Sequence, residues 1–174
     1  MLFVSFYTPP YAAEAEGLIQ SLGRWNLNHE IVAVADRGSW VKNCAYKASF
    51  IRDMMLKHEC RPLVWLDADA RVMRRPDLFD SLTCDLACHY RDGTELLSGT
   101  LYIGPTARDL VRQWEQACLE HPNEWDQRVL AGVIERERRW KIINLPADYT
   151  AIFDAGMSLD PVILHRQASR RLKH

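Results

Sequence analysis

Hydrophobic and polar positions along the chain follow two alternating periods. Leu2 to Tyr7 is apolar or aromatic except at Ser5, the pattern of a buried strand. Thr8-Pro9-Pro10 stops it, because proline fixes its own φ and supplies no N–H. From Tyr11 to Leu22 the positions Ala12, Ala15, Leu18, Ile19 and Leu22 share one helical face. Ile31 to Ala35 predicts a second strand. Asn43 to His58 predicts a helix whose stripe is Cys44, Ala48, Ile51 and Met55. Leu63 to Asp67 is a third strand, apolar from Leu63 to Leu66, as expected for a strand covered on both faces.

The second half is more mixed. Leu86 to Tyr90 and Thr100 to Gly104 predict strands, with Ser98 and Gly99 as a small-residue turn feeding the latter. Thr106 to Glu120 predicts a helix with Thr106 and Asp109 as a capping box. A further helix runs from about Glu124 to Arg136, and Lys141 to Leu145 and Val162 to His165 are short strands. Neither an internal repeat nor a linker interrupts the order. It predicts an α/β fold with a mostly parallel central sheet flanked by helices, in a single domain over residues 1–174.

Composition narrows the picture. The chain has 174 residues, 48% of them hydrophobic, and a net charge of −1, so no global basic field points to nucleic acid or to a membrane surface. Positive charge is local, at Arg136 to Lys141 and Arg166 to His174. The apolar stretches are too short to span a bilayer, and Met1 to Phe6 reads as a strand rather than a signal peptide. The five cysteines, Cys44, Cys60, Cys84, Cys88 and Cys118, are scattered, which fits reduced thiols in a cytoplasmic protein.

The chemistry centres on Asp67-Ala68-Asp69. Two carboxylates one residue apart, at the end of a buried strand, suit a hard divalent cation that bridges a diphosphate. In α/β sheets ligands bind beyond the carboxyl ends of the strands, where this pair stands. Trp65, Trp114 and Trp140 read as packing residues. Trp40 and Trp125 lie beside the segments that carry polar chemistry, where an indole can stack on a sugar or a base.

Further segments complete a pattern: Trp40 to Phe50 opening a helix, Ser98-Gly99-Thr100, Trp125-Asp126-Gln127 at a helix start, Leu145 to Tyr149 after a strand, and Val162 to Arg171. In this order, from Phe6-Tyr7-Thr8 to Arg171, they resemble the GT-A nucleotide-sugar glycosyltransferases with an Asp-x-Asp motif, the small nucleotide-diphospho-sugar transferase type. The resemblance implies a Rossmann-like fold and a Mn²⁺ or Mg²⁺ ion held by Asp67, Asp69 and His165. It places Lys47 near the diphosphate or donor sugar, with Asp67 also reaching the ribose or sugar. Tyr7, Thr8 and Asp36 would contact the nucleoside, and Ser98, Gly99 and Thr100 would shape the boundary between donor and acceptor. Asp126 and Gln127 would face the transferred sugar or the acceptor hydroxyl. Arg166, Arg170 and Arg171 would close over the phosphates.

The implied activity is transfer of a sugar from a nucleotide-diphospho-sugar, a UDP-sugar being expected, to an acceptor hydroxyl. That acceptor is a saccharide, a protein or a modified DNA base, and the setting is a bacterial or phage-infected cytoplasm, with an oligomer compatible. The leaving diphosphate gains charge that a cation stabilises. The acceptor must lose a proton, to Asp126 in an inverting enzyme or to the departing phosphate in a retaining one. Two rivals remain at this stage. A nucleotidyltransferase would place a Gly-rich loop after the first strand, where Tyr7-Thr8-Pro9-Pro10-Tyr11 has none. A non-catalytic nucleotide-sugar binding module is the other.

Overall fold

The computed structural model describes residues 1–153 and 160–172. Lys173 and His174, the end of the basic terminal run, lie outside them. The first half builds β1 (Leu2–Tyr7), α1 (Ala12–Arg24), β2 (His29–Ala33), α2 (Trp40–Lys57), β3 (Leu63–Leu66) and β4 (Ala70–Val72). The second half adds β5 (Leu86–Arg91), β6 (Glu95–Ile103), α3 (Arg108–Glu120), α4 (Asp126–Arg136) and β7 (Ile142–Asn144). It ends with β8 (Ala151–Ile152), β9 (Ile163–His165) and α5 (Ser169–Leu172).

The main sheet has the order β2-β1-β3-β6-β5-β7. Every neighbouring pair that includes β6 is antiparallel and every other pair is parallel, so β6 runs against the direction shared by the rest. Side chains alternate across it, as strand geometry requires. On β3, Leu63 and Trp65 join Met55, Leu101, Trp114 and Leu130 on one face, beneath α2, α3 and α4. Val64 and Leu66 join Leu18, Leu22, Phe79, Tyr102 and Ile163 on the other. Each such large apolar side chain, fully buried, contributes about 1.5–3 kcal/mol relative to leaving it in water.

The second face is covered by α1 and by a small sheet of order β4-β9-β8. Sequence reading anticipated β9 but not β4 or β8, which are too short to carry a period of their own. The small sheet matters for the site: β4 and β9 pair antiparallel with Ala70 opposite His165. A residue from the far end of the chain is thereby set beside the Asp67–Asp69 turn.

Four local expectations need correction. Ser98 and Gly99 are not a turn but lie inside β6, whose register with β3 and β5 runs past them. Thr106 and Asp109 form no capping box. The α3 helix begins after Ala107 with no side-chain cap, the Thr106 hydroxyl donates to Asp85 Oδ1 at 2.6 Å, and Asp109 pairs with Arg112 and Arg139. The α2 helix starts at Trp40, three residues before the expected Asn43, because Ser39 Oγ caps it by accepting the Lys42 N–H. The second strand spans His29–Ala33 rather than Ile31 to Ala35, since its ladder with β1 starts at Phe3 opposite His29. Among the described residues no helix is long and apolar enough to cross a membrane.

Two glycines test this packing from opposite sides. A Cβ on Gly104 would stand 1.9 Å from the Cys84 carbonyl oxygen, a backbone atom that cannot swing away. Gly132, inside α4, has nothing within 4 Å of the same position. Gly104→Ala is expected to lower the free energy of unfolding in urea by about 1–3 kcal/mol or more. Gly132→Ala should raise it by about 1 kcal/mol, the helix-propensity difference.

Candidate active site

Asp67 closes β3 and its backbone still pairs with β6, donating to the Gly99 carbonyl at 2.9 Å. The chain then turns at once, with the Ala70 N–H on the Asp67 carbonyl. This tight turn aims Asp67 and Asp69 at one side of the sheet's carboxyl edge. One ligand atom from each of Asp67, Asp69 and His165 can be chosen so that all three lie within 4.8 Å of one another. They line a cleft of about 200 Å³.

Each member is held by specific partners. Asp67 Oδ1 accepts from Trp65 Nε1 at 2.9 Å and pairs with Lys47 Nζ at 3.1 Å. Asp69 Oδ2 accepts the Ala168 N–H at 2.7 Å, while its Oδ1 lies 3.7 Å from His165 Nδ1. The other ring nitrogen of His165 meets Thr100 Oγ1 at 2.8 Å. Thr100 thereby fixes the orientation of the ring toward the carboxylates. Burial pushes the Asp69 carboxyl up, but His165, the Ala168 N–H and Arg71 outweigh it and hold the group below its usual range.

The cleft floor is a buried ion-pair network. Lys47, 4% exposed, sits between Asp126 Oδ2 at 2.9 Å and Asp67 Oδ1. Its ammonium also donates to the carbonyl and hydroxyl oxygens of Ser98, and the Ser98 hydroxyl donates to Asp126 Oδ2 at 2.9 Å. Burial alone would lower the Lys47 pKa, yet Asp126 and Asp67 more than reverse it, leaving the ammonium well above its usual value. Stability from this raised pKa is fully present below pH 10.5, the unperturbed value, and is lost only as pH climbs through the folded one. The N-terminal turn of α4 is fixed by Trp114 Nε1, which donates to the Asp126 carbonyl at 3.0 Å.

Asp67 and Asp126 share the Lys47 ammonium, and Asp69 stands beside His165 across the turn. Space is tight at Gly99, where a Cβ would come within 2.9 Å of His165 Cε1 and 3.3 Å of Asp67 Oδ2. The donor set of two carboxylate oxygens and an imidazole nitrogen suits Mn²⁺ or Mg²⁺.

Of the residues expected at the site, Tyr7, Thr8, Lys47, Asp67 and Asp69 line the cleft. Ser98, Gly99, Asp126, Gln127 and His165 line it too. Thr100 stands behind, holding His165. Asp36, Arg166 and Arg170 do not line it. Asp36 is committed to a turn, accepting from the Gly38 N–H and Asn43 Nδ2. Arg166 is exposed and contributes its backbone, donating to the Asp69 carbonyl at 3.3 Å. Arg170 is exposed on α5. Arg171, another residue assigned to the phosphates, pairs with Glu14 at 2.8 Å.

Tyr11 was not foreseen. A short 3₁₀ turn over Pro9–Tyr11 carries it into the cleft, where its hydroxyl is buried and has no hydrogen-bond partner among the described residues. Burial first, then Cys44, Asp69 and Asp67, push its pKa up to about 12. The paired prolines were read as a stop signal, and their second effect is to aim this ring.

Neither a protein-family model nor a curated protein sequence matches the chain. Solved structures do. A glycosyltransferase involved in glycosylation of the major capsid of PBCV-1 aligns over 95% of this chain and 92% of its own, with a TM-score of 0.78 at 14% identity. The fold is GT-A. The glycosyltransferase GlyE of Streptococcus pneumoniae TIGR4 aligns over 94% of this chain and 54% of its own, with a TM-score of 0.68 at 18% identity. The galactosyltransferase LgtC, solved with donor and acceptor sugar analogues, aligns over 96% and 87%, with a TM-score of 0.62 at 13% identity. The chain therefore spans nearly the whole of two of these GT-A proteins and about half of the third. At these identities the likeness is one of fold.

The floor network generates a stability prediction. Lys47→Met leaves the Asp126 carboxylate buried without its cation and is expected to destabilise the fold by about 3–5 kcal/mol. Lys47→Met with Asp126→Asn should recover a large part of that loss, because the second buried charge goes too. Urea unfolding of the two variants measures the difference.

Proposed function

We propose that the protein is a metal-dependent glycosyltransferase that moves a sugar from a nucleoside diphosphate sugar, a UDP-sugar, to an acceptor hydroxyl. The observation that carries this reading is the convergence of Asp67, Asp69 and His165 in one cleft at the carboxyl edge of a GT-A sheet. These three residues would hold Mn²⁺ or Mg²⁺. Such an ion, when bound, offsets the charge that develops on the departing diphosphate.

The chain's own groups do the rest. Trp65 and Lys47 both engage Oδ1 of Asp67, which leaves Oδ2 for the ligand side. Thr100 orients His165, and the Ala168 N–H orients Asp69. The buried hydroxyl of Tyr11, with Tyr7 and Thr8 at the end of β1, offers a polar surface for the nucleotide. Lys47 acts as a tie between Asp67 and Asp126 rather than as a phosphate ligand, since its ammonium is already engaged by both carboxylates and by Ser98.

That tie bears on stereochemistry. Asp126 Oδ2 is already engaged by the Lys47 ammonium and the Ser98 hydroxyl, which fix the carboxylate in place. Asp126 is therefore assigned to holding the cleft floor beneath the transferred sugar. The acceptor oxygen forms the new bond to the anomeric carbon as the bond to the diphosphate breaks, and the acceptor proton passes to the departing phosphate oxygen. This route delivers the acceptor on the face the leaving group vacates and keeps the donor's anomeric configuration.

Thermal denaturation with ligands tests the function. UDP with Mn²⁺ should raise Tm at concentrations where neither does so alone, by several degrees at a hundredfold excess over Kd. Asp69→Asn should abolish the shift. Absence of any nucleotide-dependent shift under either metal would refute the reading. The anomeric proton coupling of the first product, followed by NMR, should match that of the donor sugar, and an inverted product would return Asp126 to the role of base.

A further inference from the structure

The rim of the cleft carries an aromatic pair that none of the chemistry above uses. Trp40 and Trp125 both line the cavity that holds the Asp67, Asp69 and His165 cluster. Their rings meet edge to face, with centroids 5.8 Å apart and planes at 90°. Trp125 is 41% exposed. Each stands at the start of a helix that also reaches the floor. Trp40 opens α2, which carries Lys47, and Trp125 directly precedes Asp126, which opens α4.

This placement orders the cleft. Contacts run from His165 to Asp69, across the turn to Asp67, and on through Lys47 to Asp126. Trp125 is the next residue, at the opposite end of that path from His165. The carboxylate–imidazole end has the charge for a diphosphate and its cation. The Trp125 end offers an indole with Gln127 lining the cleft beside it, while Arg128, which does not line the cleft, covers one face of the ring with its guanidinium 5.1 Å from the centroid. The Gln127 amide reaches only a long contact, 3.4 Å to Glu95 Oε1, so a better acceptor can claim it. An apolar face with hydrogen-bonding groups at its edge matches a pyranose ring, which presents a C–H face bordered by hydroxyls.

We infer that Trp125, buttressed by Trp40, forms the acceptor subsite, and that the acceptor is a saccharide whose pyranose ring packs on this aromatic pair. The inference rests on the glycosyltransferase reading above and adds the acceptor class to it. Because Asp126 forms part of the floor and Trp125 is its chain neighbour, a sugar packed on the indole stands next to the sugar being transferred. Gln127 holds its hydroxyls and fixes which one faces the anomeric carbon.

The experiment measures transfer to the 4-nitrophenyl glycosides of glucose, galactose, N-acetylglucosamine and rhamnose, together with UDP affinity by calorimetry in Mn²⁺. Trp125→Ala should raise the acceptor KM at least about tenfold, the size of one stacking contact of about 1.4 kcal/mol. It should leave the Kd for UDP within about twofold, and Trp125→Phe should recover most of the loss. Equal acceptor KM values for Trp125→Ala and the unaltered protein would overturn the inference. A rise in the UDP Kd instead would assign the ring to the donor's base. Donor cleavage by water with no transfer to any glycoside would also overturn it and point to a non-saccharide acceptor. If the unaltered protein binds no UDP, the glycosyltransferase reading itself fails, and that result is visible before any variant is made.

Discussion

An ammonium group sealed from water costs several kcal/mol unless opposite charge and hydrogen bonds surround it. Lys47 meets that requirement with Asp126, Asp67 and Ser98, and the arrangement ties four elements together. Lys47 comes from α2, Asp67 from the end of β3, Ser98 from β6 and Asp126 from the start of α4. The cleft floor is the place where these elements converge. Moving any one of them strands a buried charge, so the floor is rigid for the same reason that it is polar.

A second tie joins the two ends of the chain. Asp69 uses one carboxylate oxygen on the Ala168 N–H and presents the other toward His165, while its backbone carbonyl accepts from Arg166. The small sheet fixes the register of that union by setting His165 opposite Ala70. Glu14 on α1 supports it from outside, pairing with both Arg71 of β4 and Arg171 of α5. The guanidinium of Arg71 fills the space over Gly17, where a Cβ would fall 2.3 Å from its terminal nitrogen. The site's negative charge and the docking of the C-terminal segment are thus parts of one structure.

Much of this is legible in the amino-acid sequence. The apolar run Leu63 to Leu66 marked a strand covered on both faces, and the carboxylates after it marked the edge where chemistry sits. His165 came from resemblance rather than periodicity, and the β4–β9 register supplies the physical reason that it reaches Asp69. Other features were hidden for identifiable reasons. The resemblance placed Lys47 at the site, but its burial between Asp67 and Asp126 comes from tertiary packing, and no local pattern announces burial of a charge. Ser98-Gly99 has the composition of a turn, but the ladders of β3 and β5 override that preference. Tyr11 was lost behind two prolines whose geometry, rather than their absence of N–H, is what matters. The terminal arginines were assigned to the phosphates by the resemblance, and what no sequence pattern showed is that Arg171 pairs with Glu14 on α1.

The central claim is that one divalent cation sits among Asp67, Asp69 and His165. Paramagnetic broadening by Mn²⁺ in amide NMR spectra, recorded with UDP present, tests it most directly. At substoichiometric Mn²⁺ the amides of Gly99, His165 and Ala168 should broaden first, while those of Arg136 and Lys141 on the basic surface stay sharp. Broadening that begins at the basic surface or at Glu14, with Gly99 and Ala168 unaffected, would contradict the account.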